Sequence, residues 1–89
     1  MTVRYLVLGA VQGVGFRWFV LKRAHALGLR GFVRNLADGR VEVVASGPAE
    51  TLHSLERLLL EGPEGADVTG VEKSEILDEV YISKTFEIR

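Results

Sequence analysis

The chain contains no cysteine. Disulfides, thiol nucleophiles and cysteine-type metal sites are therefore excluded. An excess of either charge is missing too, since 11 Lys and Arg face 12 Asp and Glu for a net charge of −1. No global basic field exists to attract nucleic acid, and no basic amphipathic stretch exists to lie on a membrane. Long apolar runs are also absent. The run that follows Met1-Thr2-Val3-Arg4 is too short for a signal peptide, and none is long enough to span a bilayer. His25 and His53 lie far apart without Asp or Glu at ligand spacing, so each reads as a surface residue and no metal is expected. Repeats, linkers and low-complexity segments do not occur. The expected location is the cytoplasm, and any recognition of an anion has to be local.

The 89 residues that remain are 47% apolar, enough for a packed core and too apolar for disorder. Residues 1–89 are expected to form one domain with one core. Val3 to Gly9 reads as a strand, apolar at almost every position, central and covered on at least one face. Phe16 to Leu27 reads as a helix with Phe16, Val20, Ala24 and Leu27 on one face, Phe19 beside them, and Gly28 ending it. Arg30 to Leu36 and Val41 to Ala45 read as strands joined by an Asp38-Gly39 turn. Gly47-Pro48 opens a second helix, with Pro48 suited to its first turn. Leu52, Leu55, Leu58 and Leu59 form its buried stripe, and Gly62-Pro63 stops it. Val68 to Ile76 is a fourth strand, with a bulge expected at Gly70, and Thr85 to Ile88 a short last one.

The order β-α-β-β-α-β plus a short strand predicts an α+β, ferredoxin-like sandwich. Its sheet is mainly antiparallel, with both helices on one face. The first and second strands then run parallel with the third between them. The loop after the first strand and the end of the second therefore emerge at one edge of the sheet. Two strand spacings, roughly 10 Å, separate them.

That loop is the most informative stretch. Gly9-Ala10-Val11-Gln12-Gly13-Val14-Gly15-Phe16-Arg17 joins the first strand to the first helix. A Gly-rich turn at a helix N-terminus can aim several backbone N–H groups at an anion, and Arg17 adds a forked cation suited to phosphate. The same glycines also suit a plain tight turn, and the residues alone leave both readings open. The stretch is not a P-loop, lacking Gly-Lys-Ser/Thr, nor a dinucleotide fingerprint, its Gly spacing being wrong.

Val11-Gln12-Gly13-Val14-Gly15-Phe16-Arg17 closely resembles the signature of the acylphosphatase family. Gly31-Phe32-Val33-Arg34-Asn35 resembles its second block, continuing through Asp38-Gly39-Arg40-Val41-Glu42. The resemblance covers almost the whole chain, including Ala24, Leu27-Gly28-Leu29, Gly62-Pro63 and Phe86-Glu87-Ile88-Arg89. It implies hydrolysis of the carboxyl–phosphate bond of a small-molecule acyl phosphate to carboxylate and inorganic phosphate, without metal or cofactor. It also implies that Arg17 holds the phosphoryl group with the backbone of Gln12, Gly13, Val14, Gly15 and Phe16, and that Asn35 orients the hydrolytic water. Two positions depart from the family pattern. Ala10 stands where a polar or basic residue is common, which bears on the rim of the site and on affinity. Phe32 replaces the more usual tryptophan. The protein is expected to act as a monomer, with neither nucleic acid nor membrane as partner.

Read from the residues alone, Asn35 is either a turn residue or an amide able to hold a water in line with phosphorus. Trp18 is either a wall of the site or partial core. Gln12 meets substrate through its side chain or only through its backbone. Arg34 alternates away from Asn35 and reads as solvated, as do Glu56 and Glu61 on their helix, and Asp38 reads as turn chemistry. Two rival classes remain. An RNA-binding sheet would need basic–aromatic strands, which are missing. A regulatory phosphate-binding domain would not need Asn35.

Overall fold

Alternation builds the first strand. In β1 (Thr2–Ala10), Val3, Tyr5 and Val7 are buried while Arg4, Leu6 and Leu8 are only partly covered. Successive side chains in a strand point to opposite faces, so one face of β1 meets the core and the other looks outward. β2 (Arg30–Asn35) and β3 (Val41–Ser46) pair antiparallel, and β1 pairs antiparallel with β3 and with β4 (Asp67–Glu75). β5 (Phe86–Ile88) lies parallel to β2, giving the order β4-β1-β3-β2-β5. The computed structural model describes residues 1–77 and 82–89.

The helices α1 (Phe16–Ala26) and α2 (Ala49–Glu61) cover one face of this sheet. Phe16, Val20 and Ala24 of α1 and Leu52, Leu55 and Leu59 of α2 join Val3, Tyr5, Val7, Val33, Val41, Val43 and Ala45 in one core. Each large apolar side chain taken out of water in this way contributes roughly 1.5–3 kcal/mol. β1 lies inside the sheet between β4 and β3 as expected, and β3, with all six of its residues buried, is the middle strand. The ferredoxin-like plan with its extra short strand is the observed one.

Local chemistry sets the element ends. α1 stops one residue earlier than the periodicity predicts. Leu27 caps it, the Gly28 N–H donates to the carbonyl of His25 at 3.1 Å, and the Leu29 N–H donates to that of Ala24 at 3.0 Å. These two bonds are the Schellman pattern, and they satisfy carbonyls that the helix end would otherwise orphan. Pro48 is the cap of α2 and not part of its first turn; its extended backbone places its carbonyl to accept from Leu52 N–H at 3.0 Å. Leu58 is half-buried at the margin of the α2 stripe. The β1–β4 register slips where expected, stepping from Leu8 opposite Gly70 to Gly9 opposite Val68, so Thr69 is the extra residue. Gly31 permits the tightest approach in the sheet: a Cβ there would lie 1.9 Å from the Val44 carbonyl oxygen.

Two polar contacts tie the layers. The Tyr5 hydroxyl donates to the Leu52 carbonyl of α2 at 3.1 Å. Burial, assisted by the charge of Glu56, pushes its pKa up to about 12. On the outer face, Glu42 is only 3% exposed and accepts from Arg4 at 2.6 Å on β1 and Arg34 at 2.5 Å on β2. Burial raises the Glu42 carboxyl pKa, but hydrogen bonds from the two guanidinium groups outweigh it, and the net shift is downward. Glu42 thus ties three strands together, and Arg34 is exposed as expected while its guanidinium pairs with Glu42. Glu56 differs from its expected solvated role. It is half-buried, with one carboxylate oxygen 3.3 Å from the Lys73 ammonium of β4.

Candidate active site

β1 delivers the chain to Val11, which is 1% exposed and anchors the turn in the core. From there 12–15 cross the top of the sheet edge and α1 begins at Phe16. Gly15 caps that helix at φ 77°, ψ 20°, a left-handed conformation that glycine adopts without strain. It brings no side chain to bond the first-turn N–H groups, and no acidic residue stands in that first turn. The first N–H groups of a helix have no intrahelical acceptor, and they lie at the positive end of the dipole. α2, by contrast, carries Glu50 in its first turn. The open end of α1 is therefore chemically ready for an anion, whereas that of α2 already faces a carboxylate of its own.

The side chains around this end converge. Val11, Gly13, Gly15, Phe16, Arg17, Trp18 and Asn35 line one cavity of about 70 Å³. That is several times the roughly 10–15 Å³ needed for one water. Arg17 is exposed and, among the described residues, makes no ion pair or side-chain hydrogen bond. Arg4, Arg34 and Arg40 are each engaged with carboxylates, and Arg23 lies over the Phe19 ring. Asn35, the last residue of β2, is half-buried, and its amide is likewise without a side-chain hydrogen bond among the described residues. It pairs with Val41 and so faces the helix side, away from outward-facing Arg34. Arg17 and Asn35 thus meet at one edge, as the strand order requires.

Gln12 does something that the sequence left open. Its side-chain Nε2 donates to the Leu36 carbonyl at 2.8 Å and to the Arg40 carbonyl at 2.9 Å. Both amide hydrogens are spent on the β2–β3 hairpin, so the backbone N–H is the donor that Gln12 has left for an anion. The hairpin is itself well determined. The Gly39 N–H donates to Leu36 at 3.2 Å, the Leu36 N–H to Arg40 at 2.9 Å, and Asp38 accepts from the Arg40 N–H at 3.0 Å. The Asp38 carboxyl is held below its ordinary pKa by hydrogen bonds from Arg40. Val14 turns its side chain toward the core, leaving Gly13, Gly15, Phe16 and Arg17 as the loop's contribution to the cavity. No local signal announces the Gln12 link, because its two acceptors lie 24 and 28 residues away.

The remaining candidates stay outside. His25 is exposed and its Nε2 lies 2.9 Å from the Phe86 carbonyl; His53 is exposed on α2. Among the described residues, no group of three or more His, Asp and Glu is placed to hold a metal, and no helix is long and apolar enough to cross a membrane. Phe32 is 5% exposed, with Arg34 and Arg89 over its ring, so it offers no open face on the outer side of the sheet.

Comparison with known proteins agrees with this fold. The family model described as Acylphosphatase matches residues 3–88. The acylphosphatase of Koribacter versatilis (strain Ellin345) is 55% identical over 87 residues, covering 98% of this chain and 78% of that protein. The crystal structure of acylphosphatase from Bacillus subtilis superposes with a TM-score of 0.92 at 38% identity, covering 99% of this chain and 97% of that one. An acylphosphatase structure from Coxiella burnetii gives 0.90 at 42% identity, covering 99% and 90%.

Proposed function

The chain belongs to the acylphosphatase family, whose reaction is the hydrolysis of acyl phosphates, and we propose how its residues divide that work. The backbone N–H groups of the Gln12–Phe16 loop and the Arg17 guanidinium hold the phosphoryl oxygens. Asn35 accepts a hydrogen bond from the attacking water and sets it in line with phosphorus. The observation that carries this reading is that Arg17 and Asn35, both without side-chain partners among the described residues, line one small cavity at the uncapped end of α1.

The chemistry needs little more. Water oxygen bonds to phosphorus as the phosphorus–oxygen bond to the carboxylate breaks. Both water protons finish on phosphate, so an acyl phosphate dianion gives a carboxylate and dihydrogen phosphate. A carboxylate is a good leaving group and requires no acid to protonate it. Phosphoryl transfer depends on positioning and on stabilising the equatorial oxygens, which a preorganised loop and one guanidinium supply. A neutral amide suffices to orient water, since the metaphosphate-like transition state demands little of a base.

The test is cleavage of benzoyl phosphate by the purified protein, with Asn35→Ala beside it. An interaction made mainly in the transition state shows in kcat more than in KM. We expect kcat to fall on the order of 10²–10³-fold, with inhibition by inorganic phosphate largely kept. Asn35→Asp should not rescue, because it sets a negative charge against the phosphoryl group. A folded Asn35→Ala protein that works at the parent rate would return Asn35 to the role of a turn residue.

A further inference from the structure

We propose that Trp18 is the platform on which the acyl group rests, so that this chain favours acyl phosphates whose acyl part is aromatic. The inference rests on the phosphoryl group occupying the Gln12–Arg17 loop. The cavity there, about 70 Å³, accommodates a headgroup, so the acyl part must project from its mouth. Trp18 stands at that mouth. It lines the same cavity as Arg17 and Asn35 and is nevertheless 65% exposed.

A large aromatic is expensive to leave in water, and most of the other rings are not left there. Phe16 is buried and lies 6.0 Å from the partly buried Phe19, centroid to centroid. Phe32 is covered by Arg34 and Arg89, and Phe86 and Tyr5 are core residues. Among the described residues, Trp18 makes no ring, cation–π or side-chain hydrogen-bond contact. Neither the buried stripe of α1 nor the sheet needs it, because Phe16, Val20 and Ala24 carry the packing. Its neighbours at the mouth decide the class of occupant. Among the described residues no carboxylate lines the cavity, and Arg17 is the only charged one there, already assigned to the phosphoryl group. Among the described residues that line the cavity, the indole face is the extended recognition surface that remains. A flat π-system has the shape and quadrupole to stack on it.

Binding energy gained away from the reacting centre is present in ground and transition states alike, and it lowers KM rather than raising kcat. The experiment compares KM for benzoyl phosphate and acetyl phosphate in the parent chain, Trp18→Ala and Trp18→Phe. Because Trp18 is the single tryptophan, its fluorescence also reports binding of phenylphosphonate and methylphosphonate without turnover. We expect Trp18→Ala to raise the benzoyl-to-acetyl KM ratio about three- to tenfold, and Trp18→Phe to restore most of the difference. We expect phenylphosphonate to quench the parent at lower concentration than methylphosphonate, and calorimetry to show that preference lost in Trp18→Ala. An unchanged ratio in folded Trp18→Ala, or equal quenching by the two phosphonates, overturns the platform. If the parent shows the phenylphosphonate preference yet cleaves neither acyl phosphate, the platform stands and the proposed hydrolytic role of the site falls. If it cleaves both and Trp18→Ala leaves the ratio alone, the hydrolysis stands and the platform falls.

Discussion

Arg17 stands in the first turn of α1, where the helix dipole disfavours a cation by roughly 0.3–1 kcal/mol. No carboxylate on the chain offsets this among the described residues. A bound phosphoryl group would, since the loop N–H groups and the guanidinium then share one anion. Arg17→Ala should therefore abolish competitive inhibition by inorganic phosphate in the benzoyl phosphate assay. Arg17→Lys should recover only part of it, because an ammonium is a point charge where the guanidinium is a planar fork. Undiminished phosphate inhibition in Arg17→Ala would remove Arg17 from the site. Arg17 and Asn35 were both legible in the sequence as members of motifs; that neither side chain has a partner among the described residues was not.

At the scale of elements, the site is a loop and a hairpin held in register by one side chain. Gln12 bonds two hairpin carbonyls, and those carbonyls keep a backbone donor each when it is removed. Gln12→Ala should then cost about 1–2 kcal/mol of stability, read as a drop of roughly 4–8 °C in Tm for each kcal/mol. If the link also sets the distance between loop and Asn35, kcat should fall by about tenfold, since small misplacements of reacting groups are costly. Phosphate inhibition should persist, because the loop's own N–H groups remain. A fall in Tm with unaltered kcat would make the link structural only. The strand order behind this arrangement was readable from the element sequence. The hairpin turn was readable too, from Asp38-Gly39. The contact between loop and hairpin depends on how far each protrudes beyond the sheet, which no local pattern encodes.

For the molecule as a whole, Glu42 ties stability to pH. Its folded pKa is depressed below the ordinary 4.5. Its contribution is thus fully present above the unfolded pKa and is lost as pH falls through the folded value. Urea midpoints should hold from neutral pH down to about 5 and decline in more acid solution. Glu42→Gln should be about 1–3 kcal/mol less stable at pH 7 and should show a shallower acid decline. Asp38 shifts in the same direction, so some acid sensitivity persists. An identical acid profile in Glu42→Gln would assign the loss elsewhere. Activity is the second whole-molecule readout. If Arg17 and the loop meet the phosphoryl charge as proposed, turnover should survive exhaustive chelation. Activity lost to chelator and restored by one divalent ion would reveal a ligand set outside the groups described.

The sequence by itself determined the elements and the family. Period-two and period-3.6 apolar patterns, the Gly28 and Gly62-Pro63 stops and the Gly-rich turn all act over a few neighbouring residues, so they can be read along the chain. Tertiary structure alone decided what the polar side chains do. It buried Glu42 between Arg4 and Arg34, which lie on different strands. It set Glu56 against Lys73 and spent Gln12 on the hairpin. It also left Trp18 open beside Arg17. The physical reason is register. A one-residue slip of β2 against β3 would turn Asn35 to the outer face and Arg34 to the inner one. That register is chosen by burial summed over the whole sheet, which no single stretch of sequence contains.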